Sequence, residues 1–263
     1  MSSSVVCIKP KRSLEELLAS IQSSELKKIA QDIVFANIGS FGDISVKPSF
    51  FTLPSAACDF EEMLFKFFAG RVHLVGVESS AQIHEIAVKN IKQKNIQMEL
   101  HPIKDDEFWA KSPPQPFDVI WLDYMGPWSE SVLPKLDCLC KRGFLRFLPG
   151  HNPRLMVTFR QGREKMFAPL VQIAMDSAKH ISKEESRKRA RIGSIPFMMN
   201  SVMNDSLFSL ETKFIFRYKD YARSNKAAIM TMFIMEIHKG IKDFDYWNVK
   251  VMNSVLSNDG IPH

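Results

Sequence analysis

Two carboxylates stand where apolar runs stop in this 263-residue sequence. In Phe117-Asp118-Val119-Ile120-Trp121-Leu122-Asp123-Tyr124-Met125-Gly126-Pro127-Trp128 the run breaks at Asp123, an aromatic and a turn. In Val72-His73-Leu74-Val75-Gly76-Val77-Glu78 a shorter run closes on Glu78 and leads into a helical pattern. A buried parallel strand ending this way delivers its acid to the sheet edge, where open α/β folds bind ligands. There a carboxylate can accept hydrogen bonds from two neighbouring hydroxyls at once, or orient and deprotonate a hydroxyl or amine. Tyr124 and Trp128 add flat surfaces on which a planar substrate stacks. Two such strands predict a nucleotide-type pocket.

The elements that must carry these residues follow from periodicity and punctuation. Residues 13–30 hold Leu14, Leu17, Leu18, Ile21 and Leu26 at helical spacing behind a Ser13/Glu16 capping box. Ile33-Val34-Phe35-Ala36 reads as a strand, followed by the turn-rich residues 37–43, and residues 49–53 read as the next strand. The sequence then predicts a helix over 59–68, the Glu78 strand, a helix capped by Ser80, a short strand over 96–100, a proline-stiffened connector and the Asp123 strand. Beyond it come a helix over 129–140, a strand over 154–159, a helix over 166–180, the charged segment 183–191 and a hairpin from 213–218 and 228–237. Alternating strands and helices predict an α/β fold, a doubly wound, mostly parallel sheet with a C-terminal antiparallel hairpin and a helix in front. Residues 1–31 read as the helical extension, 32–240 as one α/β domain and 241–263 as a tail.

Composition supports a packed core, with 45% hydrophobic and 11% aromatic residues. The charge of +6 leans toward anionic partners such as nucleic acid. Cys7, Cys58, Cys138 and Cys140 are too few and irregular for a disulfide framework or a zinc site, and the histidines show no ligand spacing, so no metal is expected. No long apolar segment marks a leader or a membrane span, so the protein reads as soluble and intracellular, cytoplasmic or nuclear.

The acid ending the second strand, the acid ending the fourth and the closing hairpin together resemble the class I, Rossmann-like S-adenosylmethionine-dependent methyltransferases, over roughly residues 33–240. The resemblance implies S-adenosylmethionine as cofactor, with Glu78 accepting from its ribose hydroxyls, the loop Pro54, Ser55, Ala56 and Ala57 at its methionine end, and Ile103 packing on its adenine beside Asp105 and Asp106. It places Asp123 and Tyr124 at the methyl acceptor, although Leu122-Asp123-Tyr124-Met125-Gly126-Pro127-Trp128 departs from the Asn-Pro-Pro-Tyr or Asp-Pro-Pro-Tyr signature of the amino methyltransferases that act on bases, which leaves the nucleophile class open. Asn37-Ile38-Gly39-Ser40-Phe41-Gly42 superficially matches the glycine-rich cofactor loop, but Glu78 lies much farther downstream than the usual spacing of about 20 residues. Counted from Pro54 the spacing fits, so 50–53 is read as the first strand. The acceptor expected is nucleic acid, since Arg160, Arg163 and the cluster Arg187-Lys188-Arg189-Ala190-Arg191 follow the fifth strand. A catalytically inactive methyltransferase-like module that binds nucleic acid or a protein partner is the alternative. A ribose methyltransferase with a Lys-Asp-Lys-Glu tetrad would draw on Lys47, Asp123, Lys165 and Glu236.

Overall fold

The computed structural model describes residues 25–38, 47–160, 183–220 and 228–241. In chain order these form α1 (Glu25–Ile38), β1 (Ser49–Thr52), α2 (Asp59–Phe67), β2 (His73–Val77), α3 (Ala81–Gln93), β3 (Met98–His101), α4 (Asp105–Lys111) and β4 (Val119–Pro127). After a 3-10 turn at Glu130–Val132 come α5 (Leu133–Lys141), β5 (Arg154–Arg160), α6 (Lys183–Asp205), β6 (Phe208–Asp220) and β7 (Ala228–Lys239). The expected helices over 13–30 and 166–180 fall partly or wholly outside the described residues.

One seven-stranded sheet runs in the order β3-β2-β1-β4-β5-β7-β6. The first five strands are parallel, and β7 is antiparallel to both of its neighbours. The hairpin therefore folds back so that its second strand lies between β5 and β6, with β6 running the same way as β1 to β5. This is the doubly wound sheet with a closing hairpin that the pattern predicts.

Strand alternation divides the core in two. Phe51, Val75, Ile120, Leu122, Leu155 and Val157 face one layer with α4, α5 and α6. Their neighbours Phe50, Leu74, Val119, Trp121 and Met156 face the other, with α1, α2 and α3. Both faces are buried, which is why the central strands read as continuous apolar runs. Phe51 sits in an aromatic cluster, 4.2 Å from Trp109 and 5.1 Å from Phe108 between ring centroids. Across the sheet, Phe60 of α2 meets Trp121 edge-on at 4.1 Å. Each such aromatic contact adds about 1 kcal/mol to the area it buries.

At the N-terminal edge of the sheet, Asp118 is almost fully buried and accepts from the Ser49 N–H at 2.7 Å and from Arg146 Nη1 at 3.0 Å. That pairing joins the starts of β1 and β4 and satisfies the buried carboxylate.

Two segments depart from the sequence reading. Ile33 to Ala36 is not a strand but part of α1, because the pattern spans more than the four apolar residues: Gln31, Val34 and Ile38 are buried one turn apart, and Phe35 packs on Phe60 and Phe67. The charged segment at 183–191 is the first half of α6, a 23-residue helix with Pro196 inside it. Its core residues Ile192, Ile195, Met199 and Met203 all follow the charged segment and hold the helix on the sheet. Among the described residues no helix is long and apolar enough to cross a membrane.

Candidate functional site at the sheet edge

Register places the expected site residues along one line. Thr52, the last residue of β1, is level with Gly76 of β2 and with Trp121 of β4. Pro54, Glu78 and Asp123 each lie two positions further, so they share the C-terminal edge, with the β1 loop between the two acids. Two interstrand spacings put the Glu78 and Asp123 backbones about 10 Å apart. His101, paired with Val77, ends β3 beside them. Alternation along β2 and β4 turns Glu78 and Asp123 toward the α2/α3 face and Tyr124 toward the opposite one.

Glu78 is half-buried, with its backbone N–H donating to the His101 carbonyl at 3.0 Å. Its Oε1 accepts from the Ser80 N–H at 2.6 Å, and Oε2 has no partner among the described residues. Ser80 caps α3 as expected, its hydroxyl accepting from the Ile83 N–H at 3.4 Å. The short link to Ser80 therefore fixes the Glu78 carboxylate at the mouth of the edge while leaving one oxygen to accept.

Beyond Glu78 lies an open depression of about 550 Å³, lined by Ser79, Pro102, Ile103, Lys104, Asp106 and Glu107 among others. Ile103 gives it a half-buried apolar wall and Asp106 an exposed carboxylate. The residues expected at the ribose and the adenine are thus neighbours in space.

The β1–α2 loop is built differently. Pro54, Ala56 and Ala57 are buried, and only Ser55 is exposed. The Ser55 carbonyl accepts from both the N–H and the Sγ of Cys58, at 3.1 and 3.3 Å. Asn90 Nδ2 donates to the Ala56 carbonyl at 2.7 Å, and Lys94 Nζ to the Ala57 carbonyl at 2.8 Å. Lys94 also bridges to Asp59 Oδ1 at 2.7 Å and Glu62 Oε2 at 2.8 Å, so the end of α3 is clamped onto the start of α2. Cys58 takes φ +52°, the left-handed conformation that glycine adopts freely, at a cost of about 1–2 kcal/mol. Burial pushes its thiol far up, out of the range of a reactive cysteine. Beneath the loop, a Cβ on Gly76 would lie 3.0 Å from Pro54 Cδ and 2.4 Å from Met98 Cε, so β2 needs glycine for the loop to cross it.

Asp123 and Tyr124 part company. Tyr124 stacks on Phe159, with centroids 5.5 Å apart, and its hydroxyl donates to Asp105 Oδ2 at 2.5 Å. Lys135 Nζ reaches both oxygens of Asp105, at 2.7 and 2.9 Å, and stands 5.1 Å from the Tyr124 ring centroid. Burial, reinforced by the Asp105 charge and hydrogen bond, drives the phenol well above its ordinary value. Tyr124 is therefore no proton acceptor near neutral pH. Asp123 extends from a strand that breaks register between Asp123 and Pro127.

The Lys-Asp-Lys-Glu tetrad is not assembled. Lys47 precedes β1 at the N-terminal edge, and Glu236 pairs with Arg154 at the start of β5, both at the opposite end of the sheet from Asp123. Lys165 and the glycine pattern at 39–42 lie outside the described residues. Sequence reasoning missed Lys135 and Asn90 on helices and Lys94 at the C-terminal cap of α3, each joined to its partner across about 30 positions. No local motif could reveal them.

No protein-family model matches the sequence, and no curated protein matches it. Solved structures do. A protein from Galdieria sulphuraria provisionally assigned as a sarcosine dimethylglycine methyltransferase is 10% identical, with a TM-score of 0.52 over 80% of this chain and 86% of that one. An O-methyltransferase from Bacillus cereus, solved in complex with SAH, is 12% identical, with a TM-score of 0.46 over 88% and 93% of the two chains. A SAM-dependent methyltransferase from Agrobacterium tumefaciens is 10% identical, with a TM-score of 0.49 over 81% and 62%. At such identities the likeness is one of fold.

Proposed function

From the class I, Rossmann-like methyltransferase fold of this chain we propose that it binds S-adenosylmethionine along the β1–β2–β3 edge and transfers its methyl group, with nucleic acid as the acceptor. The observation that carries this reading is the Glu78 carboxylate, held at the end of β2 with one oxygen committed to Ser80 and set beside the depression walled by Ile103 and Asp106. Glu78 Oε2 accepts from the ribose, Ile103 packs on the purine, and Asp106 accepts from its amino group. Pro54, Ser55 and Ala56 border the methionine end. Asp123, level with Glu78 across the β1 loop, is the acceptor-side residue that orients the nucleophile.

The sulfonium of the bound cofactor supplies an already activated methyl, so alignment is the protein's main task. Support for a nucleic-acid acceptor comes from charge. The chain carries +6 overall and Arg160 is exposed at the C-terminal end of β5; the charged segment opens α6, whose first turns lie nearer the site edge because α6 returns from β5 to the start of β6, while Arg191 at the end of that segment is itself buried.

A second reading draws on the β1–α2 loop. Its carbonyls at Ser55, Ala56 and Ala57 already accept from Cys58, Asn90 and Lys94, which leaves the methionine ammonium fewer acceptors. On that reading the domain is a catalytically inactive methyltransferase-like module that binds nucleic acid or a protein partner.

Calorimetry with S-adenosylhomocysteine separates the two. The enzyme reading expects binding that Glu78→Ala weakens by about tenfold or more, the loss of a charge-assisted hydrogen bond, and transfer of labelled methyl groups into nucleic acid. Salt-sensitive nucleic-acid binding with no cofactor affinity selects the module. Unchanged affinity in Glu78→Ala removes the ribose assignment.

A further inference from the structure

The Asp105–Tyr124–Lys135 cluster is buried, charged and unused by the site as described. Asp105 is 8% exposed and Lys135 18% by side chain, and the cost of burying such a pair is offset only by close geometry and further hydrogen bonds, which Tyr124 helps to supply. Its three members come from three elements: the first turn of α4, the end of β4, and α5. Asp105 accepts from the Tyr124 hydroxyl and from Lys135 with the same carboxylate, so no member can move without unpairing another. Chain neighbours give the cluster its meaning. Ile103, Lys104 and Asp106, on either side of Asp105, line the depression, while Asp123 precedes Tyr124 on the other side of the strand.

We propose that Asp105 is a positioning residue which, held by Tyr124 and Lys135, fixes the Ile103–Asp106 wall of the cofactor pocket against the acceptor strand, so that Tyr124 governs cofactor affinity without touching the cofactor. The inference rests on the cofactor reading above. It also makes that wall and the position of Asp123 parts of one rigid body, because the brace crosses from the β3–α4 loop to the residue next to Asp123. The remaining charged groups of the same turn, Asp106 and Glu107, do not share the brace: Glu107 pairs with exposed Lys111 at 2.7 Å, and Asp106 accepts from the Glu107 N–H at 3.0 Å.

Tyr124→Phe keeps the ring on Phe159 and removes only the hydroxyl; Asp105→Asn weakens both arms, and Lys135→Arg retains the charge. The measurements are amide hydrogen exchange at 108–112, where the α4 amides first find backbone acceptors, Phe108 N–H donating to the Lys104 carbonyl at 3.0 Å, in the free protein and calorimetric affinity for S-adenosylhomocysteine. Tyr124→Phe is expected to speed exchange at those amides and to weaken binding by about fivefold, and Asp105→Asn by about tenfold, within the range of coupling through packed networks. The double variant should bind no worse than Asp105→Asn alone, and Lys135→Arg should stay close to wild type. Wild-type exchange at 108–112 in Tyr124→Phe overturns the brace, whatever the cofactor does. Faster exchange with unchanged affinity overturns the link to cofactor binding alone. A wild-type chain that does not bind the cofactor at all overturns the underlying function and this role with it.

Discussion

Replacing Lys94 with methionine tests how the β1–α2 loop is held. The substitution keeps the aliphatic stem but removes an ammonium that reaches the Ala57 carbonyl at 2.8 Å, Asp59 at 2.7 Å and Glu62 at 2.8 Å. A charge-assisted hydrogen bond contributes about 1.5–3 kcal/mol when shielded, whereas exposed ion pairs give under about 1 kcal/mol. Lys94 and Glu62 are 24% exposed and Asp59 is 44% exposed, so the screened sum is about 2 kcal/mol. With a urea m-value of about 3 kcal/mol/M, the unfolding midpoint should fall by about 0.7 M at unchanged m. In about 1 M salt, where the Debye length shrinks to about 3 Å, the deficit should roughly halve. The pH dependence has a defined sign. Burial pulls the Lys94 ammonium down, but its hydrogen bonds to Asp59 and Glu62 outweigh that and leave it raised. Its contribution is complete below the ordinary lysine range near about 10.4 and is lost as pH rises through the raised folded value. Hydrogen bonds from Lys66 and Lys94 lower Glu62, so its contribution is present above about 4.3 and is lost as pH falls through the depressed folded value. A midpoint within about 0.2 M of wild type, with a Lys94–Glu62 cycle coupling below about 0.3 kcal/mol, would refute the clamp.

Three further outcomes follow from the same geometry. Gly76→Ala should cost about 1–3 kcal/mol by overpacking; adding Met98→Ala should recover only part of it, because Pro54 Cδ still faces the new methyl at 3.0 Å, as paired denaturation curves will show. Asp118→Ala, which strands Arg146 and the Ser49 N–H, should cost about 3 kcal/mol and lower Tm by roughly 6–12 °C in calorimetry. In Glu236, burial pushes the carboxyl up, but the Asn152 hydrogen bond and the Lys213, Arg154 and His238 charges outweigh it and leave it lowered. Its stabilisation, present above the ordinary glutamate range, should fade as pH drops through the folded value, seen as amide protection lost first along Arg154 and Glu211 by NMR.

Strand residues were the legible part of the sequence. The runs ending at Glu78 and Asp123 are buried on both faces, so apolarity alone marks them, and Ser80 announces the start of α3 with a side chain that does cap it. Short apolar stretches were not legible in the same way: Ile33-Val34-Phe35-Ala36 satisfies a strand and a helix equally, and only the helical spacing of Gln31, Val34 and Ile38 decides it. The residues at the C-terminal edge of the sheet divide likewise. Glu78 and Ile103 could be placed by counting along a parallel sheet, because the edge is where strands end. The partners of Tyr124 could not, since Asp105 and Lys135 meet it through the packing of α4 and α5 on the sheet, and nothing in spacing encodes that meeting. The insertion of β7 between β5 and β6 is equally silent in sequence, because a hairpin's two strands read the same in either order.

That insertion sets a timetable for the chain as it is made. β5 has a hydrogen-bonded neighbour on its β4 side early, but its other edge is completed only by residues 230–236 of β7, after α6 and β6 have already been synthesised. Until then the emerging chain presents the apolar row Leu155, Met156, Val157 and Phe159 beside open backbone groups, the kind of edge that recruits other chains. In the finished sheet β6 does not fill that place, which lies one strand further in. Fragments that stop before β7 are therefore expected to aggregate rather than fold into a smaller version of the same sheet, and a chaperone acting on this protein would find its binding surface at β5.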